Sequence, residues 1–401
     1  MLLNKNPKNK MSDTFLHGVE TITSPQIALV NTVKTAVIGL IGTAATGDTD
    51  KLILCATEKD DTQFGLLGTI PEALAIIRSI TKKTGATVLV VSVGTGTPTP
   101  VAADFTGSVT DGVRTGLKCF ETAFSQFGFN AKVFIAPRFT GLSGVAAALT
   151  TSANQFRGCA YLDAPTGTTV SGAIALRITA GLWASTSTRA MLYYPGLKNS
   201  TGTVVPLSTY AAAIRAKVDA TSETAGGGFW VSSSNNTIDG ITGLETELTA
   251  AINDPTTETN LLNASGITTV FNNYGADFRL WGNRNSSFPT ETGALTFECG
   301  QRTKDIVDES IELAMLPYID KPIIQAYIDL VRQTVNNYFN GLIARKALLE
   351  GSQCTYDPAK NSTEELANGH VVFTTVYMFP TPGERITFDN YIDTSLLSNL
   401  K

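Results

Sequence analysis

Apolar residues fall into short unbroken runs, separated by longer stretches with helical spacing. The runs are AVIGLIG (36–42), ATVLVVSV (86–93), KVFIAP (132–137), 159–163 and 190–195. Runs that are apolar throughout, rather than alternating, predict strands buried on both faces. Apolar positions three and four apart predict helices at about 70–84, 111–127, 142–156, 171–185 and 207–221. In the first, Thr69 is read as the cap, Pro71 and Glu72 fall in the first turn, Leu74, Ile77 and Ile80 share a face, and Gly85 is the stop. In the second, Val113, Leu117, Phe120, Phe124 and Phe127 form one stripe. The alternation predicts an α/β fold, a parallel sheet core flanked by helices on both faces. It opens with a βαβ unit that carries a long insertion before its helix.

After Gly226-Gly227-Gly228 the rhythm changes. Strands are expected at 268–273 and 278–281 around a Tyr274-Gly275 turn, and a helix at about 303–316 ends before Pro317. A long helix from about 321 to 349 carries Ile324, Ile328, Val331, Val335, Phe339, Leu342 and Leu349 at helical spacing. HVVFTTVYMF (370–379) is the strongest strand signal in the chain. Residues 12–34, and the tail beyond Pro380 and Pro382, read as extended. This divides the chain into an extended N-terminal arm (1–34), an α/β core (35–295) and a C-terminal α+β domain with the long helix and a C-terminal arm (296–401). Residues 94–250 are a candidate outward-facing insert within the core.

Composition narrows the class. The 401 residues are 43% hydrophobic, enough for a large core. Only 16% are charged, against a typical ~25%. A formal charge of -5 argues against nucleic acid as a partner. The longest apolar run, 36–45, is too short to span a bilayer, so no membrane partner is expected. Cys55, Cys119, Cys159, Cys299 and Cys354 are widely spaced, odd in number and without a CxxC, and read as reduced buried thiols. The start, MLLNKNPKNK, lacks an apolar segment and is not a signal peptide; Met11 begins a second plausible start.

The search for chemistry returns little. Gly94-Thr95-Gly96 follows a strand, but Pro98 and Pro100 come next where a dinucleotide site needs a helix; a turn accounts for it. Gly141-Leu142-Ser143-Gly144 is close to a nucleophile elbow without being GxSxG. The bases open to Ser143 are His17, in a polar arm, and His370, at the start of a strand. Asp48, Asp50, Asp60 and Asp61 lack calcium-loop spacing. Asp305, Asp308, Glu309 and Glu312 fall in the first turns of the predicted helix, where they complement its dipole. Trp281 with Arg284 forms either a guanidinium site or an anchor in a tight turn. No catalytic, metal or cofactor site is assigned, which favours a scaffold or assembly protein over an enzyme.

Several segments, in order, resemble the tail sheath protein of contractile phage tails, the compact kind of small temperate myophages and R-type pyocins. They are FLHGVET with VNTVKTAVIGLIGTA (30–44), MLYYPGLK (191–198) with VVPLSTYAAAIRAKVDAT, GFWVSSSNNTIDGITGLE (228–245), LLNASGITTVFNNYGADFRLWGNRN and PGERITF (382–388). The last block but one is the most diagnostic, and its Trp281, Gly282 and Arg284 stand at the family's motif positions. Asn285 stands where Thr is usual, and Pro206 to Thr209 where the family has a second proline.

The resemblance implies a subtilisin-like topology without subtilisin's catalytic residues. It implies stacked six-subunit discs around a tail tube, contraction, and baseplate and tail terminator proteins as partners. Extended termini suit such a polymer, because a donated strand gains main-chain hydrogen bonds on a neighbour's edge. Val19, Ile22, Ile27, Val30 and Val33 on one arm, and Val371, Phe373, Arg385, Ile386 and Phe388 towards the other end, are the expected exchange residues. Arg332, Arg345 and Lys346 are the expected tube-facing cations. The alternative is a subtilisin-like or other α/β hydrolase without a recognisable motif.

Overall fold

The computed structural model describes residues 30–177, 183, 186–272 and 275–400. Eight strands form the central sheet: β1 (Val37–Gly42), β2 (Leu52–Cys55), β3 (Thr87–Ser92), β4 (Val133–Ile135), β5 (Cys159–Asp163), β6 (Ala190–Tyr193), β7 (Ile267–Asn272) and β8 (Phe278–Trp281). Their order is β8-β7-β6-β5-β4-β1-β3-β2. The six inner strands run parallel, and β2 and β8 each close an edge antiparallel. The long insertion before the first helix therefore contains β2, an edge strand on β3. Residues 94–250, the candidate insert, supply β4, β5 and β6 and are integral to the sheet.

Both faces are covered, as continuous apolar strands require. On one face Ile38, Leu40, Val88, Val90, Val133 and Ile135 meet α1 (Thr69–Ile80) and α3 (Leu207–Ala220). On the other, Val37, Ile41, Leu89, Val91 and Phe134 meet α2 (Val145–Gln155) and a short helical stretch at 116–127. A further helix, α4 (Glu258–Ala264), packs Leu262 into that second face.

Local chemistry shifts several boundaries. Gly68, not Thr69, sits at the N-cap of α1, with φ +118° and a would-be Cβ 2.4 Å from the Thr43 carbonyl oxygen. Only glycine takes that conformation without strain. Thr69 instead accepts the Thr43 N–H at 3.0 Å, tying the helix to the end of β1. The helix predicted over 111–127 starts at Gly116, because Val109–Thr110 and Val113–Arg114 pair as a small hairpin. The helix predicted over 171–185 is seen at Val170–Ala175; residues 178–182, 184 and 185 lie outside the described residues, as do Asn273 and Tyr274 of the expected turn.

Beyond the sheet lies a third apolar cluster. It joins α5 (Glu298–Met315), α6 (Gln325–Ala344) and the antiparallel pair β9 (Gln353–Tyr356) and β10 (Phe373–Val376). α6 is shorter than its pattern at both ends, since Ile324 is the N-cap and Arg345 the C-cap. Phe229 and Trp230 enter this cluster from the glycine-rich turn after α3, and Val30 and Val33 pack against it. No helix among the described residues is long and apolar enough to cross a membrane.

Candidate functional site

Two features of the C-terminal unit stand out: a seam of buried charge that fixes it to the sheet, and an extended arm that leaves it. The seam runs along α5. That helix begins at Glu298, five residues before the predicted start, so its acidic residues are not first-turn dipole partners. They face cations on the sheet side. Lys132 pairs with Glu309, Arg189 with Asp305, and Arg157 with Glu312 at 2.7 Å. Asp308 pairs with Lys304 at 2.6 Å and accepts the Tyr377 hydroxyl at 2.7 Å.

The deepest part of the seam joins α3 to α5. Asp219, whose side chain is fully buried, accepts from Arg215 at 2.6 Å and also from Arg302. Arg215 further donates to the Val231 and Gly228 carbonyls at 2.6 and 3.0 Å. Glu298 accepts the Tyr161 hydroxyl from β5 and the Ser233 hydroxyl at 2.9 Å. Burial opposes charge on Arg302 and Arg215, yet Asp219 and its neighbours hold both guanidinium pKa values above their ordinary range. Burial pulls Lys132 down, only partly offset by Glu309. Four cations, Lys132, Arg189, Arg215 and Arg302, thus meet three carboxylates, Asp219, Asp305 and Glu309, while buried Glu298 is held by the two hydroxyls.

The arm begins where β10 ends. Of the ten residues of the 370–379 pattern, only Phe373–Val376 pair, with β9. Asn336 of α6 holds β9 by two bonds to Cys354, accepting its N–H at 2.7 Å and donating to its carbonyl at 2.9 Å. Asn361 does the same for Val372, at 2.7 and 2.9 Å. No strand lies beyond β10 among the described residues, and Thr375 and Val376 are exposed. Val371 lies just before β10, half-buried, and Phe373 is paired within it. Phe379 is the last deeply buried side chain, packed on Gly300, where a Cβ would lie 2.7 Å from its ring. Ile386, Phe388, Tyr391 and Ile392 follow, 77–88% exposed, with Arg385 exposed between them and the core.

The structure joins two motifs that sequence reasoning kept apart. Arg284 grips Glu384, with Nε 3.1 Å and Nη2 2.6 Å from its carboxylate oxygens. The Arg284 guanidinium lies 3.6 Å from the Phe297 ring centroid and 4.7 Å from that of Phe288. Trp281 stacks on Phe271 at 4.9 Å, and Gly282 has φ +130° with a would-be Cβ 2.9 Å from Thr268 Cα. Trp281, Gly282, Arg284 and residues 382–388 line one groove of about 960 Å³. Of the N-terminal exchange residues, Val30 and Val33 are partly buried on the third cluster, while Val19, Ile22 and Ile27 lie outside the described residues.

The expected tube-facing cations lie on or just past α6. Arg332 is exposed and pairs with Asp329 at 3.0 Å; Lys346 is exposed just past α6; Arg345 turns onto Glu223 at 2.5 Å and the Trp230 ring at 5.4 Å. His370 is exposed and bonded to Glu365 at 2.6 Å, far along the chain from Ser143, and His17 lies outside the described residues. Asp60 accepts from Ala56 and Thr57, and Asp61 pairs with Arg78 at 2.8 Å. Among the described residues no group of three or more His, Cys, Asp or Glu is placed to hold a metal.

Residues 112–286 match the family model described as the phage tail sheath protein central domain. The tail sheath protein of Burkholderia phage BcepMu is 34% identical, over 98% of this chain and 99% of its own length. The chain belongs to the phage tail sheath protein family. The tail sheath protein of Escherichia phage P2 is 27% identical over 97% of this chain. Among solved structures, the contracted helical sheath of the anti-feeding prophage covers 95% of this chain with a TM-score of 0.70 at 18% identity. The contracted sheath of an extracellular contractile injection system covers 95% with a TM-score of 0.68 at 15% identity. The mixed α/β fold with its largely parallel sheet is therefore a sheath fold. As a member of this family the protein is a structural tail sheath subunit and not an enzyme, so the hydrolase alternative falls.

Asn336 and Asn361, which position the hairpin, were not singled out as functional from sequence. Asn336 left no signal, because it stands among Gln333, Asn337 and Asn340 in a polar stretch of the helix.

Proposed function

We propose that this sheath subunit polymerises as stacked six-subunit discs around a tail tube, and that neighbours are tied together by exchanged terminal strands. The observation that carries the reading is the β9–β10 pair. Two strands alone are a marginal sheet, the outer edge of β10 has no further strand among the described residues, and an exposed apolar arm leaves directly after it. A strand donated by a second copy completes such an edge through main-chain hydrogen bonds. The exchange involves Val19, Ile22, Ile27, Val30 and Val33 of the N-terminal arm, Val371 and Phe373 at the receiving edge, and Arg385, Ile386 and Phe388 of the donated arm.

In this reading the core (35–295), of subtilisin-like topology, and the C-terminal unit (296–401) move together, with the arms as hinges. The buried charge seam supports that: it would have to break for the two to separate. Contraction is then a rigid-body rearrangement from a metastable extended state to one of lower free energy, driving the tube through the host envelope without nucleotide. Lys346 and Arg332 offer exposed positive charge towards an acidic tube, Arg332 from a half-exposed pair with Asp329, while Arg345 is already engaged by Glu223. Such exposed contacts are worth ~0–1 kcal/mol each, weak enough for the tube to be released. Baseplate and terminator proteins would cap the two ends, and assembly would take place in the bacterial cytoplasm before the sheath becomes part of the tail.

The test is deletion of residues 1–30, followed by negative-stain electron microscopy. The expected result is folded monomer without tubes; intact tubes from the truncated chain would refute strand exchange.

A further inference from the structure

Arg284 is built to hold a carboxylate. Its guanidinium lies against Phe297 and Phe288, and its Nη1 donates to Thr296 Oγ1, leaving Nε and Nη2 as a free fork. The loop that carries it is fixed independently. Asn285 is fully buried and donates to the Thr188 and Leu295 carbonyls at 2.9 and 2.7 Å, and Arg284 bridges Phe297 through the main chain. The Arg284 side chain is 16% exposed, whereas Glu384, its ligand, is 43% exposed and belongs to a segment that is exposed from Gly383 onward. The receptor is thus built into the fold, and its ligand sits on an exposed segment.

We propose that Arg284 is a preformed carboxylate receptor whose capture of Glu384 sets the direction in which each subunit presents its C-terminal arm to a second copy of this chain. The inference rests on the reading that the arm is donated. Phe379 is the first fixed point and Glu384 the second; Pro380 and Pro382 stiffen the span between them. Two fixed points define a line of departure, while one leaves a pivot. A pivoting arm sweeps a larger volume, so its effective concentration at a neighbour's edge falls. A parking contact that keeps the arm from partners would cover its apolar residues. Instead Ile386, Phe388, Tyr391 and Ile392 stay exposed beyond the receptor. The fork geometry matters as well as the charge, because a lysine at 284 cannot engage both carboxylate oxygens in one plane.

The experiment uses the full chain carrying Tyr391→Cys, labelled with a fluorophore; the five native thiols are buried and leave the new one as the reactive site. In the free subunit, Glu384→Gln and Arg284→Lys should each lower the anisotropy of the label, and the swap Arg284→Glu with Glu384→Arg should recover part of it. The thermal midpoint should stay put for Glu384→Gln, since that side chain is exposed. Unchanged anisotropy in both single variants overturns the proposal. In assembly of the unlabelled chain with tube protein, followed by light scattering, Glu384→Gln should slow growth at least about fivefold; growth that is unchanged or faster also overturns it. Deleting 385–401 separates the two readings. If that deletion stops growth while Glu384→Gln does not, the receptor fails and arm donation stands. If the deletion leaves growth intact, arm donation itself fails.

Discussion

Asp219→Asn tests whether the buried seam is what unites the C-terminal unit with the sheet. Asp219 lies near the C-terminus of α3, where the helix dipole disfavours a carboxylate. Its presence there is explained by Arg215 and Arg302, whose side chains are 0% and 3% exposed. Asparagine keeps the shape and removes the charge, leaving two buried guanidiniums beside each other. Removing one partner of a buried pair costs ~3–5 kcal/mol, and here one carboxylate serves two cations, so the upper part of that range is expected. For 401 residues at roughly 2.1 cal/mol/K each, the unfolding entropy is about 0.8 kcal/mol/K. The loss should therefore lower the thermal midpoint by about 5–6 °C. Scanning calorimetry on dilute subunit measures it, with Asp329→Asn as the control. That residue's pair with Arg332 is half-exposed on both sides, so its loss should shift the midpoint by no more than ~1 °C. A shift for Asp219→Asn as small as the control's would refute the argument that the seam bears the C-terminal unit.

Two further outcomes follow from buried titratable groups. Burial raises the Asp163 carboxyl to about 7, although Ser208 donates to it through both N–H and Oγ. An acid whose folded pKa lies above its unfolded value binds more protons when folded, so stability falls as pH rises from about 4 to 7. Asp163→Asn should remove that fall, seen as a thermal midpoint that gains on the wild type between pH 4 and 7; parallel pH profiles would refute it. Burial also pushes the Cys55, Cys159 and Cys299 thiols up to about 12 and Cys119 to about 11. A thiol-specific chromogenic reagent at pH 8 should find none of the five cysteines in the native chain and all five in denaturant; rapid native labelling would contradict their burial.

The part of the fold that rests on continuous apolar runs was legible. β5 and β8 match their sequence boundaries, and β1, β3 and β7 agree to within a residue at each end. Such strands read clearly because a parallel strand covered on both faces has no room for polar residues. The stripe over 111–127 misled, since its apolar positions are equally served by a hairpin followed by a tight helical turn. The 370–379 run misled in the other direction. Its β propensity is real, but only four residues find a partner strand within the chain.

The sequence by itself determined the α/β class, the family, and the absence of a defensible catalytic constellation. Each is written in local pattern: apolar runs, ordered motifs, residue types and spacing. Only the tertiary structure decided where the charges go and which motifs meet. Asp305 and Glu309 looked like helix-dipole partners until α5 was laid across Arg189 and Lys132, more than a hundred residues away in sequence. Arg284 and Glu384 are one hundred residues apart, and nothing near either names the other. Ion pairs have no period, because a carboxylate needs only some cation within reach; which one reaches it is set by how the elements pack.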